Sequence, residues 1–221
     1  MRLSLRTEVP QWIIIAAMFV AAAVVWPTAP DRLPIHWNAQ GQVDGYGGKF
    51  EGLLLLPLLT LGIYVLLAFL PRFDPRYANY ARFANVYAMM RGAIVVVMAL
   101  IQAATLLWIK GIEFNMSIAI SLIIGVLFIL LGYVMPRLQP TWFVGIRTPW
   151  TLSSERSWRK THELGRWVFI AEGIALIAAG LTGSTAVFLF MIGLSLAGVV
   201  LLGAYSYIIW RQDHGHRSPT A

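Results

Sequence analysis

Chemistry in this chain has few places to reside. Upstream, Asp31, His36 and Asp44 lie within fourteen residues of one another. An imidazole flanked by two carboxylates would suit an external metal or proton site. A single histidine is not a metal-site pattern, however, and the rings of His36 and Trp37 would equally anchor a loop at the membrane–water interface. Downstream, His162 and Glu163 are an acid and a base, but neighbours on a helix do not face each other. Glu172 lies inside an apolar run, where carboxylates are costly and often functional. It would carry a proton or substrate role, or pair with Arg147 or Arg166. The tail Asp213-His214-Gly215-His216 reads as a weak metal binder or a mobile end. There is no cysteine, which excludes disulfides, thiolate zinc and cysteine nucleophiles. Phosphate-loop, dinucleotide, zinc-protease and serine-hydrolase motifs are also absent. The expectation is a protein that binds and does not turn over, with no cofactor and no metal.

The elements that position these residues follow from composition. Of 221 residues 58% are hydrophobic and 12% charged; soluble domains carry about 25% charged residues. The mean hydropathy is +0.70. Charge-free runs at 9–30, 52–71, 92–109 and 114–136 each match the length of one bilayer crossing. A longer run at 173–210 is broken at Thr182-Gly183-Ser184-Thr185 and reads as two crossings. The expected fold is an all-α integral membrane protein with six transmembrane helices. Counting Lys and Arg by loop gives 14 on the side of the termini and 3 on the other. Both termini are therefore expected to be cytoplasmic. The net charge of +7 is read as topology and contact with membrane lipids, with no direct nucleic-acid partner. In the last span, Gly193 and Ala197 suggest a close helix contact.

Two loops are too aromatic and too rich in Gly and Pro to be linkers. The outer loop, 30–51, begins extended because Pro34 restricts Leu33. Turns are expected at 38–41 and at Asp44-Gly45, before Lys49 and Glu51 lead into the second span. The inner loop, 136–166, is broken by Pro136, Pro140 and Pro149. Its stretch 138–154 holds Trp142, Phe143, Ile146 and Trp150 with Arg147 as the only charge. An irregular apolar segment cannot face lipid, so it is expected to tuck into the bundle mouth, with Arg147 aimed at a carboxylate or backbone carbonyls. Ser153 or Ser154 should cap a basic interfacial helix bearing Arg156, Trp158, Arg159, Lys160 and Arg166. The ordered outer and inner loops divide the chain into an N-terminal region, 1–109, and a second membrane region, 110–221.

The stretch Gly145-Ile146-Arg147-Thr148-Pro149-Trp150-Thr151-Leu152, with Trp158 and Thr161-His162, resembles the signature of the SdpI family of bacterial membrane immunity proteins. Leu33-Pro34-Ile35-His36-Trp37-Asn38, with Gly41, Asp44-Gly45 and Lys49, resembles the uncharacterised domain that commonly precedes it. Tyr133 and Thr141 stand where the family usually has asparagine. The resemblance implies protection against a secreted, membrane-active killing peptide, and capture of a winged-helix transcriptional repressor at the membrane. Carried over, the peptide toxin would be met by His36, Trp37, Asn38, Asp44 and Lys49. Gly145, Arg147, Pro149, Trp150, Trp158 and His162 would serve signalling. Other readings are a small transporter or channel, for which Gln102 and Glu172 are the obvious polar residues within the spans, and a membrane enzyme.

Overall fold

The computed structural model describes residues 5–215. Its helices are α1 (Leu5–Val25), α2 (Leu55–Phe69), α3 (Ala84–Ile109), α4 (Met116–Val134), the single turn α5 (Pro149–Ser153), α6 (Glu155–Thr182) and α7 (Thr185–Gly215). All but α5 belong to six segments long and apolar enough to cross a bilayer. Six crossings return the chain to the face it started from. That face, with the helix ends Leu5 and Gly215, is called the terminal face; the opposite one is the hairpin face.

Charge-free runs located every crossing but understated the helices. The third starts at Ala84, so Arg91 lies inside it and not in a loop. The fifth starts at Glu155, and the basic segment runs into the span without a break. Ser154 caps it, its hydroxyl accepting from Ser157 N at 3.1 Å, while Ser153 donates to Pro149 O at 2.7 Å. Gly183, at φ +61°, ends α6; this is the left-handed position where helices commonly stop at glycine. The expected mobile tail is helical through Gly215, and Asp213 accepts a hydrogen bond from Ser154 Oγ at 2.7 Å. His216 lies outside the described residues, and the side chain of His214 is also undescribed.

α1, α2 and α3 pack on one another, α6 packs between α4 and α7, and α3 touches α4. The tightest pair is α4 on α6. A Cβ on Gly125 would sit 2.8 Å from Gly173 O, and one on Gly173 would sit 2.5 Å from Gly125 O. In lipid there is little hydrophobic drive between helices, so close backbone approach at small residues supplies the contact. The suggested contact at Gly193 is not made, since a Cβ there meets nothing. Its place in α7 is taken by Gly198, where a Cβ would collide with the Glu172 carboxylate of α6.

The outer loop adds two strands to this helical frame. β1 (Leu33–Trp37) pairs antiparallel with β2 (Val43–Gly47). The 38–41 turn is present, with Asn38 Oδ1 accepting from Gln40 N and Gln42 N at 3.0 Å each. Asp44-Gly45 is not a turn: both lie in β2, beside a register shift opposite His36.

Candidate functional site

On the hairpin face, His36 Nδ1 pairs with Asp44 Oδ1 across the two strands. Both are well exposed. Asp31 is not part of this cluster; it meets Lys49 at 3.6 Å, and Lys49 also donates to Trp26 O at 3.3 Å. Among the described residues no group of three potential metal ligands forms. Trp37 packs edge-on against Trp108 at the end of α3, with ring centroids 6.0 Å apart. Asn38 O accepts from Ser117 Oγ at 3.0 Å, and Asn115 Nδ2 donates to Gln40 O at 3.2 Å. The hairpin is thus sewn to the start of α4. Between β1, α2, α3 and α4 lies a cavity of about 600 Å³, lined among others by Ile35, Trp37, Glu51, Leu59 and Ile120.

The terminal face carries the inner loop, and its centre is His162. The ring is buried, 1% exposed, and stacks on Trp158 at 4.1 Å. Nδ1 lies 2.7 Å from Trp158 O, and Nε2 accepts from Ile146 N at 3.0 Å. The first contact needs a proton on Nδ1 and the second a lone pair on Nε2. The two bonds therefore assign the neutral Nδ1–H tautomer. Gly145, just before Ile146, adopts φ +108°. A Cβ there would lie 2.6 Å from His162 Nε2 and 2.9 Å from the Trp158 ring. Trp158 Nε1 donates to Leu138 O at 2.9 Å. Thr148 caps α5, bonding reciprocally with Thr151, and Pro149 opens that turn. Histidine, tryptophan, glycine and proline here brace one irregular loop.

That loop tucks in only in part. Leu138, Thr141, Val144 and Thr151 are buried, whereas Trp142 and Phe143 project outward. Arg147 is exposed and donates to Trp142 O at 2.8 Å, a backbone carbonyl as expected. Trp150 packs on Tyr207 of α7 at 5.1 Å. The loop is held from outside by the segment joining α2 and α3. Asp74, buried, accepts from Trp142 N and from Tyr80 OH, each at 2.9 Å. Arg76 donates to Leu152 O at 2.6 Å and Asn79 to Pro140 O at 2.7 Å. In the sequence this segment stands out only for its charge, and Asp74-Pro75, a turn-initiating dipeptide, is the one signal of its shape.

A second missed cluster lies inside the bundle near the terminal face. Glu8 of α1 and Arg91 of α3 are both about 1% exposed and meet at 2.6 and 3.2 Å. Tyr64 of α2 donates to Glu8 at 2.7 Å and receives Trp12 Nε1. The guanidinium also sits over the Tyr87 ring at 5.3 Å. Glu172, by contrast, makes no ion pair with Arg147 or Arg166. Arg166 lies over Trp167, and the Glu172 carboxylate turns towards α7 at Gly198. Gln102 donates to Met18 O at 3.0 Å.

Both loop structures coincide with what similarity detects. Residues 137–206, from the start of the inner loop into α7, match the SdpI/YfhL protein family. The inner loop and the helices that follow it are thus similar to that family. Residues 13–61, which contain the hairpin, match a domain of unknown function, DUF1648. Immunity protein SdpI of Bacillus subtilis (strain 168) is 24% identical over 205 residues, covering 93% of this chain and 96% of that protein. No solved structure matches. With its six apolar crossings, this relative of SdpI is a multi-pass membrane protein.

Proposed function

We propose that the chain is an immunity protein of the bacterial inner membrane that protects its host from a secreted, membrane-active killing peptide. The observation that carries this reading is the similarity to Immunity protein SdpI over 93% of this chain, in a protein with six segments apolar enough to cross a bilayer. The termini are cytoplasmic, and the hairpin faces outward. The region 1–109 meets the peptide through His36, Trp37, Asn38, Asp44 and Lys49 and the cavity beneath them. The region 110–221 presents the braced loop to the cytoplasm, where a winged-helix repressor docks on Arg147, Trp150 and the basic start of α6. Gly145, Pro149, Trp158 and His162 hold that surface in shape.

Protection is tested by survival. A deletion strain and its parent are plated after exposure to medium from the parent's own dense culture. The reading expects killing of the deletion strain alone, reversed by the gene in trans; equal survival contradicts it. Docking is tested by co-purification. Arg147→Ala should leave the protein in the membrane and lose the repressor. Unchanged recovery of the repressor contradicts the docking half.

A further inference from the structure

An elongated groove of about 670 Å³ runs along the outside of the bundle between α1, α3 and α4. Its walls are apolar, with Ile14 from α1, Met89, Val96 and Leu100 from α3, and Leu122 and Val126 from α4. Its end at the terminal face is polar, formed by Arg6, Thr7, Gln11 and Asn85. We propose that this groove binds one anionic phospholipid from the leaflet on the terminal face, with an acyl chain along the walls and the phosphate at Arg6.

Length supports this occupant. From Asn85 to Leu100 is fifteen steps along α3, about 22 Å at the α-helical rise. One leaflet with its headgroup spans roughly 20–22 Å, half the full bilayer thickness. The groove therefore reaches from headgroup level to the bilayer midplane. Charge supports it too. Arg6 is exposed and has no ion pair among the described residues, because the adjacent carboxylate, Glu8, turns inward to Arg91. Gln11 adds an independent sign. It is buried, its amide donates to Thr7 O at 2.9 Å, and its Oε1 has no donor. A headgroup bearing hydroxyls, such as phosphatidylglycerol, offers a phosphate to the first residue and a donor to the second. The groove also lies across α3, where the N-terminal helices meet α4, so its lipid would fill the seam between α1 and α4.

The test is native mass spectrometry of the full chain, purified in detergent and reloaded with dioleoyl phosphatidylglycerol or dioleoyl phosphatidylcholine. One lipid should be retained, with the anionic one favoured about fivefold, the scale of a single basic side chain at an anionic surface. Arg6→Gln, at an exposed helix end, should equalise the two lipids. Ala93→Trp, which fills the groove, should retain neither. Val199→Trp, on an exposed face of α7, should behave as the parent. Equal retention of both lipids by the parent, a preference that survives Arg6→Gln, or a lipid that survives Ala93→Trp would each overturn the proposal. Should Ala93→Trp fail to fold, the parent and Arg6→Gln still decide it.

Discussion

His162 ties its own helix, through Trp158 O, to the inner loop, through Ile146 N, so it acts there as a brace. Gly145 makes that possible by combining a left-handed φ with an absent Cβ. Gly145→Ala should therefore cost about 2–4 kcal/mol, adding backbone strain to displacement of a buried ring. Gly193→Ala, where a Cβ meets nothing, should change stability by no more than about 1 kcal/mol. Thermal melting in detergent compares them; equal melting temperatures would contradict the brace. Glu8 and Arg91 offer a second test. Removing one member of a buried pair strands the other, at a cost of about 3–5 kcal/mol, whereas replacing both with apolar residues is often neutral. Arg91→Leu should thus melt well below Glu8→Leu/Arg91→Leu; a double variant as unstable as the single would argue against a closed pair. This cluster was invisible to a search for charge-free runs. Such a search uses charges as boundaries, and Glu8 and Arg91 each border one.

At the scale of elements, the segment between α2 and α3 clamps the inner loop through Asp74, Arg76 and Asn79. Asp74→Ala leaves Trp142 N and Tyr80 OH without their acceptor. The loop should then open more often and be cut faster by trypsin at Arg147; an unchanged cleavage rate would mean that Asp74 does not hold it. The absence of native cysteine permits a finer probe. Phe143→Cys should react rapidly with a soluble maleimide and Val144→Cys slowly, because only the first projects outward. The sequence made six crossings, a cap at Ser153 or Ser154 and a break at 182–185 legible, since each depends on local propensity or on length. It did not reveal β2. Asp44-Gly45 has turn chemistry, but here glycine meets a different need, for a Cβ at Gly45 would lie 2.7 Å from His36 Cβ. That requirement comes from the facing strand, which local reading cannot supply. Likewise the alternation of buried Val144 with exposed Phe143 is set by Asp74 and Trp158, distant in the chain.

At the scale of the whole molecule, two seams join the N-terminal region to the rest of the chain. One runs from the hairpin to the start of α4, through Asn38–Ser117 and Gln40–Asn115; the other runs from the segment before α3 to the inner loop, through Asp74. Setting aside Arg91, which is buried within the bundle, leaves 13 basic residues against 3 in the count by side, so the basis for the proposed orientation survives the correction. Ile35→Cys, exposed on the hairpin face, should accordingly label in intact cells and Phe143→Cys only after permeabilisation; the reverse pattern would invert the topology. The proposed function is protection of the membrane itself, and its most direct measure is membrane potential. A potential-sensitive dye would follow the parent, the deletion strain and the complemented strain in medium from the parent's dense culture. Immunity predicts depolarisation of the deletion strain alone, and equal polarisation of all three would contradict it.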